Sequence, residues 1–130
     1  MSVMKNVIAT SRRCGQSSLA QYVPVIRGTD PEEVISPAAD SDIVEGITLL
    51  DARWDGEEVP ICKQPGSTVL ATAGAGGWTK GMILGLDGAN LARLKQYAAA
   101  DHEIIVAVAE EAKSEGELGS CTLLLQRKTA

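Results

Sequence analysis

The chain contains no phenylalanine, and its 130 residues hold only two tryptophans, two tyrosines and one histidine. Aromatic anchors are scarce, so any core must be built from Val, Ile, Leu and Ala, which favour strands and fill the gaps between them. Cysteine is sparse and odd in number: Cys14, Cys62 and Cys121 lie far apart, without a Cys-x-x-Cys pair, and only His102 could join them on a metal. That spacing argues against a zinc site and for free thiols in a reducing cytosol. No run approaches the roughly 18 apolar residues that cross a bilayer, and the N-terminus MSVMKNVIATSRRCG lacks the apolar stretch of a signal peptide. At this length one domain buries about two thirds of its unfolded surface, enough for a core without metal or disulfide.

What is present is unevenly charged. From Met1 to Thr29 there are four bases (Lys5, Arg12, Arg13, Arg27) and no acid, and from Asp30 to Glu58 ten acids face the single Arg53. From Val59 onward seven acids balance seven bases. Residues 1–28 show neither a helical stripe nor sustained alternation, which predicts an extended basic N-terminal arm carrying the apolar patch Tyr22-Val23-Pro24-Val25-Ile26. Residues 29–41, with Pro31 and Pro37 among acids and serines, read as a linker, and 42–130 as a compact β-domain.

Within that domain, short apolar runs alternate with turn residues. DIVEGITLL, VPICKQ, STVLATAG, GMILGL, ARLKQY, EIIVAVAEEA and CTLLLQ read as strands, with Ile43, Ile47 and Leu49 expected on one face of the first. DIVEGITLLDARWDGEEVPICKQ and EIIVAVAEEAKSEGELGSCTLLLQ share an acid, a β-branched strand, a small residue (Gly46, Ala107), a charged Gly turn and a strand containing Cys. The duplicated strand-turn-strand pattern predicts a mainly β fold, a small β-barrel or β-sandwich, with Cys62 and Cys121 at equivalent core positions.

ATAGAGGWTKGMILG, Ala71 to Gly85, suggests a phosphate-cradling loop and fails each test for one. Lys80 is followed by Gly81 rather than Ser or Thr, the third position of the dinucleotide fingerprint is Thr79, and a strand stands where a helix must begin. The glycines are expected at positive φ in a turn, within the central connector of the duplicated domain. Asp101-His102-Glu103 offers a carboxylate beside an imidazole, yet neighbours along a strand face opposite ways, so an exposed polar turn is expected. Glu110, Glu111, Glu115 and Glu117 lack calcium-loop spacing and read as a solvated acidic corner. No cofactor, metal or catalytic residue is expected.

Trp54 and Trp78 sit in or beside polar Gly-containing turns, where a large aromatic is either a plug over a barrel end or a contact to a partner. Arg12 and Arg13 could meet nucleic acid, but no stacking aromatic is interleaved with the bases and the acidic domain behind them repels phosphate. A protein surface is the better partner, reached by strand addition through the patch at Tyr22, Val23, Val25 and Ile26. No direct nucleic-acid or membrane contact is expected.

From about Ser41 to Gln126 the cadence of DIVEGITL, RWDGEEVPI, STVLATAGAGGWTKGMILGLD and EIIVAVAEEAKSEGELGSCTLLL resembles the small decoration, or cement, proteins of tailed-bacteriophage heads. KGMILGLDGANLARL is similar to their G-x-x-(V/L)-x-x-(D)-x-x-G segment. The resemblance implies a non-catalytic structural protein, made in the host bacterial cytoplasm and bound to the outer surface of the expanded capsid. Its partners would be the major capsid protein and further copies of itself, in a symmetric oligomer such as a trimer or dimer, with the arm ordered on the shell. Contact residues would then be Arg12, Arg13, Tyr22, Val23, Val25, Ile26, Trp54 and Trp78. The alternative is a small β-barrel ligand- or glycan-binding module using Trp78 and the glycine loop as its platform. An enzyme would need a cleft around His102.

Overall fold

The computed structural model describes Met4, Lys5 and residues 7–127, which form ten strands and no helix. Strands β1 (Ala9–Cys14), β2 (Pro24–Arg27), β3 (Glu33–Ile35), β4 (Gly46–Thr48) and β5 (Glu58–Cys62) close into a barrel in the order β1-β3-β2-β4-β5. Strands β6 (Thr68–Thr72), β7 (Ile83–Leu86), β8 (Leu94–Gln96), β9 (Ile104–Ala109) and β10 (Leu118–Arg127) form a second sheet in the order β6-β10-β9-β7-β8. A parallel bridge between Ala73 and Leu94 joins the ends of that sheet, at the place where the first barrel pairs Cys14 with Val34 in parallel. With this bridge included, the two halves have the same topology.

The duplication extends to individual hydrogen bonds. Gly15 N–H donates to Val34 O at 2.9 Å, as Gly74 N–H does to Leu94 O at 2.7 Å. Leu19 and Ala52 exchange backbone bonds, as Trp78 and Lys113 do. Gly56 and Gly116, both at φ +88°, donate to the carbonyls of Cys14 and Ala73. Cys14 and Ala73 are 59 residues apart, Gly56 and Gly116 are 60, and Ala52 and Lys113 are 61. The repeat noted between two segments is therefore the tail of a repeat running from β1 to β10. The register also corrects the pairing of the cysteines. Ile47 pairs with Cys62 where Val108 pairs with Thr122, so Cys62 corresponds to Thr122 and lies one place from Cys121.

Residues 9–27, read as arm, supply β1 and β2, while Met1, Ser2, Val3 and Asn6 lie outside the described residues. The alternation of β1 was hidden because its inward positions are Thr10, Arg12 and Cys14, of which only the last is an ordinary core residue. The acidic segment 29–41 contains β3, a strand too short to register between Pro31 and Pro37. The glycine-rich stretch, read as the central connector, lies instead inside the second half, running from the end of β6 into the start of β7. The link between the halves is the turn at 63–67, after β5.

Val25, Val34, Val59 and Ile61 fill the first barrel beneath Leu19 and Ala52. Leu84, Leu94, Val106 and Leu123 fill the second, where Val44, Ile47 and Cys62 of the first half join the same core and weld the halves together. Each fully buried aliphatic contributes about 1.5–3 kcal/mol, so the seam is a structural joint rather than a hinge. In the first segment read as a strand, Ile47 is buried but Ile43 is exposed and Leu49 only partly covered.

Candidate interaction surface

The two corners linking β4 to β5 and β9 to β10 are built alike and surfaced differently. Glu57 N–H donates to Trp54 O as Glu117 N–H donates to Ser114 O, and Leu49 N–H donates to Pro60 O as Glu110 N–H does to Ser120 O. Trp54 thus corresponds to Ser114, and Leu50 to Glu111. Leu50 and Trp54 are 55% and 54% exposed, and the guanidinium of Arg53 lies 4.9 Å from the indole centre. A corner of this geometry forms equally well with serine and glutamate, so the fold does not require two large apolar side chains in water here. Exposed aromatic and aliphatic groups with an arginine between them have the composition of an interface anchor.

Trp78 is the other case. It occupies the position of Leu19, is only 3% exposed, and packs into the second core close to Lys113 and Gly119. It is a plug, and its indole face is closed to a sugar. Its Nε1 has no acceptor among the described residues.

The remaining expected contacts are dispersed. Arg12 is held at the barrel end by Glu45, with Nη2 3.0 Å and Nε 3.1 Å from the same carboxylate oxygen. Arg13 is exposed and pairs with Asp30 at 3.2 Å. Val23 and Val25 belong to the first core and Ile26 is half-buried in β2, paired with Ile35, so strand addition through this patch is ruled out: its strand is already inside the barrel. Tyr22 sits at φ +59° and gives its N–H to Thr48 O, the place where the second half has Gly81 at φ +87° giving its N–H to Ala109 O. A bulky residue in the left-handed region costs about 1–2 kcal/mol, and here the duplicate shows the residue that avoids the cost.

His102 is not in an exposed turn but wholly buried. Ala98 N–H donates to Nδ1 at 2.9 Å and Nε2 lies 2.7 Å from Leu86 O, a carbonyl that can only accept, so the proton is on Nε2. Tyr97 stacks on the ring at 5.5 Å, and Gly85 lies so close that a Cβ there would meet three ring atoms at 2.8 Å. In the first half Asp42 does this work, accepting from Ala38 N–H at 2.7 Å and Ala39 N–H at 3.1 Å. The imidazole is a loop clamp. Glu111 is likewise engaged, accepting from Ser120 Oγ at 2.6 Å and Ser120 N–H at 3.0 Å, with Lys113 Nζ at 3.5 Å. In the glycine-rich stretch Gly76, Gly77 and Gly81 have positive φ, as expected of a turn, and Ala75 N–H is held by the buried carboxylate of Asp87 at 3.0 Å.

No family model and no curated protein matches the chain. Among solved structures its fold is similar to the N base of the head fiber gp8.5 of bacteriophage phi29. The TM-score is 0.66 at 15% sequence identity, over 98% of this chain and all of that one. The two chains thus share an overall architecture with little sequence in common.

Proposed function

We propose that this chain is a structural protein of a bacteriophage virion, which binds the outer surface of the expanded head and bridges neighbouring capsid subunits. The observation that carries the reading is the end-to-end likeness of fold to a head fiber base. The chemistry of the surface is consistent with it. The corner at Leu50, Arg53 and Trp54 is an anchor the fold does not need, while His102 is walled in and both its ring nitrogens are occupied by backbone. In this reading the chain performs no catalysis. It stabilises the expanded shell by binding that state in preference to the unexpanded one. Two weak contacts on adjacent subunits suffice, because the second forms at high effective concentration.

The test is heat. Heads carrying the protein are expected to release DNA at a higher temperature than heads lacking it, and Trp54→Ala should remove most of the difference. Equal release temperatures for bare and decorated heads would contradict cementing.

A further inference from the structure

At one end of the first barrel, between the two halves, lies an open cleft of about 390 Å³ lined by Arg27, Ile43, Glu45, Lys63 and Arg127. Arg12 and Arg27 lie on the faces of their strands that point into the barrel, with Cys14 and Val25. Lys63 continues the alternation of Val59 and Ile61. Arg127 is brought in from the second half, by the pairing of the end of β10 with Ile104. Four cations therefore surround one carboxylate. Glu45 is committed to Arg12 at 3.0 Å and has Lys63 at 3.8 Å, and neither Arg27 nor Arg127 has a carboxylate partner among the described residues.

The second half serves as an internal control. By strand register Arg12 corresponds to Ala71, Arg27 to Leu86, Glu45 to Val106 and Lys63 to Leu123. All four counterparts are fully or almost fully buried and apolar. The barrel closes this end with hydrocarbon when nothing is to be bound there. A protein of net charge −5 has instead gathered guanidinium groups at the open mouth of its first barrel, a common place for ligand sites.

We propose that this mouth is a binding site for a carboxylate-bearing peptide segment, an Asp- or Glu-containing loop of a partner protein. Arg27 and Arg127 would take the carboxylate through their planar forks, and the exposed Ile43 would take the adjoining apolar stem. Placing that loop on a capsid subunit rests on the virion reading above, whereas the site itself does not.

The experiment is calorimetric titration of the intact protein, without heads, using an end-blocked hexaglutamate peptide at low salt, with inorganic phosphate as the comparison ion. Saturable peptide binding is expected. It should weaken about tenfold or more in the Arg27→Gln/Arg127→Gln double variant, the loss of two charge-assisted contacts, and be unchanged by Arg53→Gln at the far corner. Lys63→Gln is the second variant, expected to weaken binding to a smaller degree. Absence of saturable binding, equal binding by the double variant, or phosphate bound as tightly as the peptide would each overturn the assignment. Head binding is measured separately, so loss of one claim does not remove the other.

Discussion

Cys121 shows how burial sets the chemistry of a single side chain. Its thiol is pushed up from 9.0 to about 12, first by burial and then by the nearby Glu110 carboxylate. Above pH 9.0 the unfolded chain loses this proton while the folded chain keeps it. Stability attributable to this group is therefore complete below pH 9.0 and falls as pH rises toward 12, with a limiting slope of about 1.4 kcal/mol per pH unit. Cys121→Ala should flatten the alkaline limb of a denaturant-derived stability curve, and an unchanged limb would refute the assignment. Gly85 gives a second prediction. A Cβ at this position would stand 2.8 Å from His102 ring atoms, so Gly85→Ala must displace a clamped imidazole, at about 1–3 kcal/mol by the usual cost of overpacking. Urea unfolding measures it. Tyr22→Gly adopts the residue of the duplicate, so relief of left-handed strain offsets the entropy cost of glycine, and stability should hold within about 1 kcal/mol. If Tyr22 is kept for contact, the same variant should bind heads less well.

At the scale of elements, every segment that the sequence marks as a strand contains one, whereas the first three strands, β1, β2 and β3, fall in the stretches read as arm and linker. β5, β6, β7, β9 and β10 stand where the valine, isoleucine and leucine patterns place them, and the short β4 and β8 lie inside DIVEGITLL and ARLKQY. β1 was missed because its inward positions carry Thr10 and Arg12, and an arginine on an inward face looks like surface until its partner Glu45 is seen across the barrel. β3 was missed for its length. The two tryptophans could not be separated from sequence, since both adjoin glycine turns; only the register shows that Trp78 stands where the first half has buried Leu19, and Trp54 where the second half has Ser114. That distinction predicts opposite phenotypes. Trp78→Ala should lower stability by about 3–5 kcal/mol, the range for emptying a buried large aromatic site. Trp54→Ser should leave the unfolding midpoint nearly unchanged, because it copies the other corner. Denaturant midpoints of the two variants, compared side by side, test the assignment.

At the scale of the whole molecule, what matters is the duplicated barrel and the differences between its halves. Shared features, such as the glycines at φ +88° and the parallel closure of each sheet, maintain the fold. Features present in only one half, the Leu50–Trp54 corner and the basic mouth at Arg27 and Arg127, are where binding is assigned. The sequence disclosed the repeat in part, through Gly46 and Ala107 and the two charged Gly turns. It could not disclose that the supposed arm is the start of the first copy, because that copy carries its charges at positions where the second carries its core. The most direct measurement is sedimentation of the purified protein with phage heads in two states, expanded and unexpanded. Saturable co-sedimentation with expanded heads, strongly reduced with unexpanded ones, is the predicted result. Protein remaining in the supernatant with both, or pelleting equally with both, would contradict the central claim.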